Sequence, residues 1–180
     1  MVKNVWIIGS GIIKLFLFGI AISCYADTIT INGYTYTYQI DGPGVRLQNC
    51  SSEDWDNNTK ESTPAISPLP SGDFVLPATI KGTKVWHIGA NAFRGCTNLT
   101  SLTIPDGPTM SGVSIGVSVG ESSFEGCTAL TNVVFSSSTG PIYSRAFASC
   151  TALTTFEFPE SICFIAEGIL SNCTSLAPVL

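Results

Sequence analysis

One histidine, seven cysteines, and thirteen aspartates and glutamates bound the chemistry open to this 180-residue chain. A Ser–His–acid set would have to recruit His87, and His87 lies in the apolar run Val85-Trp-His-Ile-Gly89, a rim or core position. Neither a Gly-x-Ser-x-Gly elbow nor a phosphate-binding glycine loop is present. A zinc site needs clustered thiolates or imidazoles, and no pair has Cys-x-x-Cys spacing. Glu53-Asp-Trp-Asp-Asn-Asn58 opens like a calcium loop, with ligand oxygens at Asp54, Asp56 and Asn58. Thr59 then stands where the turn glycine belongs and Ala65 where the bidentate glutamate belongs, so a solvated acidic loop is the preferred reading. The expectation is a protein that is not an enzyme, with no catalytic residue, cofactor or metal.

The composition is one of strands and turns. Charged residues make up 12% and hydrophobic ones 44%, with Ser, Thr and Gly filling much of the rest. A pI near 4.6 without any Lys/Arg cluster argues against nucleic acid as a partner. Residues 1–26 read as a signal peptide: Lys3 and Lys14 without acids, the apolar run 15–22, then Ser23-Cys-Tyr-Ala26 with cleavage expected after Ala26. Ala21-Ile-Ser-Cys24 offers a second reading, a lipobox in which an acylated Cys24 would tether the protein to a membrane. Loss of this segment removes two lysines and no acid, taking the formal charge from −5 to −7.

Self-comparison is the informative step. Ile88-Gly-Ala-Asn-Ala-Phe-Arg-Gly-Cys-Thr-Asn-Leu99 aligns with segments beginning at Val119, Ile142 and Ile165. Their cysteines fall at 96, 127, 150 and 173, at intervals of 31, 23 and 23, so one unit is 23 residues and the first interval carries eight more. The branched residue, the large apolar one five later (Phe93, Phe124, Phe147, Leu170), the Cys and the Leu form an inward set. After the Leu, alternation such as Leu99-x-x-Leu102-x-Ile104 marks a strand with one buried face, ended by Pro105 and Pro159. The Cys-Thr stretch fits a single helical turn or tight corner. Stacked coils would bury the inward set and join their strands into one parallel sheet.

The pattern Ile-Gly-x-x-Ala-Phe-x-x-Cys-x-x-Leu-x-x-Leu-x-Ile-Pro closely resembles the BspA-like leucine-rich repeat, and residues 88–105 are nearly an unaltered copy. The expected fold is therefore a leucine-rich repeat solenoid: a right-handed stack of 23-residue coils with a parallel β-sheet, short helical turns and an N-terminal β-hairpin cap. Residues 1–26 are the signal peptide, 27–84 the cap and first coil with the acidic loop, and 85–180 the repeats. The resemblance implies an exported bacterial surface or secreted protein of adhesin type.

The irregularities are the candidate sites. The repeat cysteines read as a ladder of small buried hydrophobes, whereas Cys50 and Cys163 lie off the register and could bridge only if the fold brings them together. The excess of eight falls within residues 105–118, where Asp106-Gly-Pro-Thr-Met-Ser-Gly112 is turn-rich and Val113-x-Ile-x-Val-x-Val119 alternates like a strand. Asp106, Thr109, Met110 and Ser114 there, with Trp55, are the candidate contacts to a protein or glycan outside the cytoplasm. A decorative hairpin without a partner is the equal alternative. Tyr34, Tyr36 and Tyr38 share one strand face and would either cover the end of the solenoid or stack on a sugar or peptide, with capping preferred. The last segment, Leu176-Ala-Pro-Val-Leu180, is expected to leave an apolar edge open to self-association, the alternative function being a structural surface component.

Overall fold

The computed structural model describes residues 7–8, 11–12, 26–48 and 64–177. Trp55, Cys24, Cys50, the acidic loop, the predicted signal peptide up to residue 25 and the final three residues lie outside the residues that give side-chain detail.

Short strands β1 (Ile7–Ile8) and β2 (Gly11–Ile12) pair antiparallel. A meander of β3 (Asp27–Ile31), β4 (Tyr34–Asp41) and β5 (Gly44–Leu47) follows, with β6 (Ile66–Ser67) against β4. Next come β7 (Gly72–Val75), β8 (Thr79–Ile80), β9 (Thr83–Ile88) and β10 (Leu99–Ile104). The insertion holds β11 (Thr109–Met110) and β12 (Val113–Ser114), and β13 (Val117–Val119), β14 (Asn132–Phe135) and β15 (Thr139–Ile142) complete the order. Three hairpins turn on a residue pair with both φ positive, Asn32-Gly33, Lys81-Gly82 and Ser111-Gly112, the conformation that matches the twist of the flanking strands.

Two parallel stacks arise, not the single sheet expected. In the larger sheet β5, β9, β13 and β15 run parallel, so Leu47, Ile88, Val119, Ile142 and Ile165 lie opposite one another in sequence. The β3–β4 hairpin extends the same sheet antiparallel at one end. The smaller sheet is β7-β10-β14, with Phe74, Leu102 and Val133 in register. The segment before each branched residue is thus a strand as well as the segment after each Leu. Residues 153–158, read as a third such strand, form none: Thr154 N–H reaches Thr131 O at 3.4 Å, and on the other side, among the described residues, only Ala177 N–H approaches Thr154 O, at 3.5 Å. The alternation after Val113 also breaks, because Gly116 takes a positive φ of 67° between β12 and β13.

The corners are turns; among the described residues there is no helix. Asn91, Ser122, Arg145 and Gly168 share one slot with positive φ, and Gly95, Gly126, Ser149 and Asn172 share a second. Left-handed residues at both slots cannot propagate a right-handed helix. Alternate N–H groups point instead at the next coil: Asn91, Phe93 and Gly95 donate to Glu121 O, Ser123 O and Glu125 O at 3.0, 2.8 and 2.9 Å. The corners therefore carry a hydrogen-bonded ladder of their own, which satisfies backbone groups that burial would otherwise penalise.

Inside the corners Phe93 stacks on Phe124 at 5.1 Å and Phe124 on Phe147 at 5.2 Å, nearly parallel. The thiols of Cys127, Cys150 and Cys173 donate to Phe93 O, Phe124 O and Phe147 O of the coil before. The inward set is buried through three copies and frays at the fourth, where Ile165 is 44% exposed and Leu170 partly so. Tyr36 and Tyr38 turn inward and are buried, and Tyr34 meets Phe74 edge-on at 5.3 Å. Tyr36 and Tyr38 leave no stacking face for a ligand, and Tyr34 is partly buried against the core. Burial, then the Tyr34 charge, raises the Tyr36 hydroxyl to about 12.

Candidate functional site

Two surfaces depart from the repeat. The first is the insertion. Its strands pair with each other only, Thr109 opposite Ser114 and Met110 opposite Val113. All four are exposed, Met110 by 53% and Val113 by 65%. The base is rigid by contrast. Gly107 and Gly116 are buried against each other, so closely that a Cβ on Gly107 would lie 2.1 Å from Gly116 O. Lys84 Nζ donates to Gly107 O at 3.0 Å. Asp106 Oδ1 accepts from Ser137 Oγ, Ser138 N–H and Ser138 Oγ at 3.2 to 3.3 Å. Hydrogen bonds from Ser136, then Ser138 and Ser137, hold its carboxyl below the usual range. Of the predicted contacts, Thr109, Met110 and Ser114 thus share the tip, while Asp106 ties the base to the next coil.

The second surface was missed by the sequence reading. On the outward side of the larger sheet, Arg46 lies opposite His87, and His87 opposite Ser118. The Arg46 guanidinium sits 5.1 Å from the Trp86 ring centre, a cation–π contact. Trp86 to His87 is 5.4 Å, His87 to Tyr143 6.4 Å and Tyr143 to Phe164 6.0 Å between ring centres. Tyr143 and Phe164 are 41% and 50% exposed. Gly44 makes room for this column, since a Cβ there would lie 2.3 Å from Lys84 O and 3.3 Å from the Trp86 ring. One signal was available in the chain: Tyr143 occupies the slot that holds Gly89 and Gly120 in the preceding copies.

His87 is oriented by Ser118. The Ser118 hydroxyl donates to Trp86 O at 3.2 Å, so at 2.8 Å its oxygen accepts from Nδ1–H of His87, assigning the tautomer and leaving Nε2 as an acceptor. Burial, then the Arg46 charge, lowers the imidazole to about 3. A Ser–His–Asp triad carries a carboxylate behind the histidine; among the described residues the charge that acts on His87 is the Arg46 guanidinium. Among the described residues no group of three His, Cys, Asp or Glu is placed to hold a metal. Cys163 is an exposed free thiol.

The stacked coils, the buried Phe–Cys corners and the in-register branched residues are the geometry of the repeat read from the chain. The family model for the BspA type leucine rich repeat region matches residues 87–179 in six copies, more than half of the chain. The chain belongs to the BspA-type leucine-rich repeat family. This leucine-rich repeat chain is similar in fold to the leucine-rich repeat protein of T. pallidum, with a TM-score of 0.51 and 19% identity over 79% of the chain. It spans 66% of that protein's length. It is also similar to a leucine-rich repeat protein from Bacteroides capillosus, with a TM-score of 0.50 and 25% identity over 78% of the chain and 99% of the relative. No curated protein matches the leucine-rich repeat chain.

Proposed function

We propose that this protein is an exported bacterial surface module that binds a protein or glycan outside the cytoplasm, without catalysis, through the tip of the insertion. One observation carries the reading. An exposed hairpin with apolar Met110 and Val113 at its end stands on a base locked by the Gly107–Gly116 contact and the Asp106–serine bonds. A rigid base lowers the ordering cost of binding, and an apolar tip supplies the area that drives it. Residues 27–84 serve as the cap and first coil, and residues 1–26 direct export, with lipidation at Cys24 as the alternative anchor. The test is an array of host proteins and glycans probed with the protein before and after residues 109–114 are replaced by a two-residue turn. Loss of the captured partner on shortening is expected; binding that survives unchanged rules out the tip.

A second reading is a structural component that associates through the last coil. Phe158 and Ile165, 45% and 44% exposed, favour it. Light scattering across a concentration series decides: a monomer at every concentration excludes association there, and a dimer abolished by Phe158→Ser supports it.

A further inference from the structure

The column of rings on the larger sheet shares no residue with the insertion tip and asks for a different partner. Three features define the chemistry it can take. Across the coils its rings are spaced 6.4 Å from His87 to Tyr143 and 6.0 Å from Tyr143 to Phe164, close to the length of one pyranose unit, and Trp86 adjoins His87 on the same strand at 5.4 Å. They are tilted by 40°, 75° and 53° in turn, so no single flat object can cover them, whereas a chain of separately oriented units can. Between the rings stands one oriented acceptor, Nε2 of His87, to which no described residue donates. A ring face against a C–H face, with a hydroxyl donated to a fixed acceptor, is how an amphipathic site holds a sugar.

We propose that Trp86, His87, Tyr143 and Phe164 form a binding strip for a neutral oligosaccharide, whose sugar units stack on Tyr143 and Phe164 and donate a hydroxyl to His87 Nε2. An extended polypeptide is disfavoured on this face. Strand addition needs an open edge, and β9 and β13 are each paired on both sides, so beside Trp86 and His87 a peptide would find no backbone ladder. Charge selects against an acidic sugar: the chain carries a formal −5, and the guanidinium nearest the strip already lies over Trp86.

The experiment is calorimetric titration of the full chain with maltohexaose, cellohexaose and mannohexaose, and with gelatin as a polypeptide probe. Saturable binding of at least one hexasaccharide is expected, weakened about tenfold or more by Tyr143→Ala and about threefold or more by Phe164→Ala. Both side chains are exposed, and circular dichroism checks that the variants keep the parent fold. Shortening residues 109–114 should leave sugar binding unchanged, so failure of the tip as a site and failure of the strip are read separately. The proposal is overturned if none of the three sugars binds, if binding is indifferent to both substitutions, or if these substitutions abolish gelatin binding while no sugar binds.

Discussion

The stacked corners and the outward surfaces follow opposite rules. In the corners the coils repeat one another: Phe on Phe through three copies, thiol to carbonyl, left-handed residue above left-handed residue. On the outside the coils differ, with a hairpin in one, Trp86 and His87 in another and Tyr143 in a third. Each interior contact is reused by its neighbours, so a change there propagates through the stack, whereas an outward side chain touches few others and is free to vary. Stability and recognition are thereby separated in space.

Four measurements bear on that separation. Phe124→Ala removes the central ring of the stack and should cost about 3–5 kcal/mol in urea unfolding, since rings on both sides lose their partner. A loss of under 1 kcal/mol would mean that the column does not act as a unit. Gly107→Ala tests the junction between the two regimes. With 2.1 Å available to the new Cβ, the base of the hairpin must shift, at about 1–3 kcal/mol by overpacking. Unchanged stability there would show that the base yields readily.

The third concerns His87, whose ring is half-buried on the outward side of the larger sheet. Its folded value near 3 lies below the ordinary 6.5, so beneath pH 6.5 the unfolded chain takes up a proton that the folded chain refuses. Stability is therefore complete above pH 6.5 and declines as the pH falls toward 3, by about 1 kcal/mol per pH unit. Between pH 6.5 and 5, before most carboxylates titrate, His87→Gln should flatten that slope, and equal slopes in the two proteins would contradict the neutral imidazole. The smallest effect belongs to the tip: Met110→Ser with Val113→Ser should change unfolding stability by no more than about 0.5 kcal/mol, because neither side chain is buried. A larger loss would place the hairpin in the scaffold after all.

Much of the scaffold was legible because it repeats. The in-register pairing of Ile88, Val119 and Ile142 and the burial of Cys96, Cys127 and Cys150 follow from the alignment of the copies. Helical turns were expected and the corners are not helical, because a non-glycine residue with positive φ, such as Asn91 or Arg145, looks like any polar residue in the chain. Of the candidate contacts, Asp106 could not be distinguished from its tip neighbours, since the serines that receive it lie about thirty residues on, in the next coil.

What the sequence determined by itself was the unit, its inward-facing residues and the place of the insertion, all matters of order along the chain. Only the tertiary structure decided that the coils build two parallel stacks and that Tyr34, Tyr36 and Tyr38 point into the protein. It also gathered Arg46, Trp86, His87, Tyr143 and Phe164 into one column. The physical reason is the stacking. Residues one coil apart are distant along the chain and only one strand spacing apart in space, about 4.8 Å, so a surface that runs across the coils has no signature along any one of them.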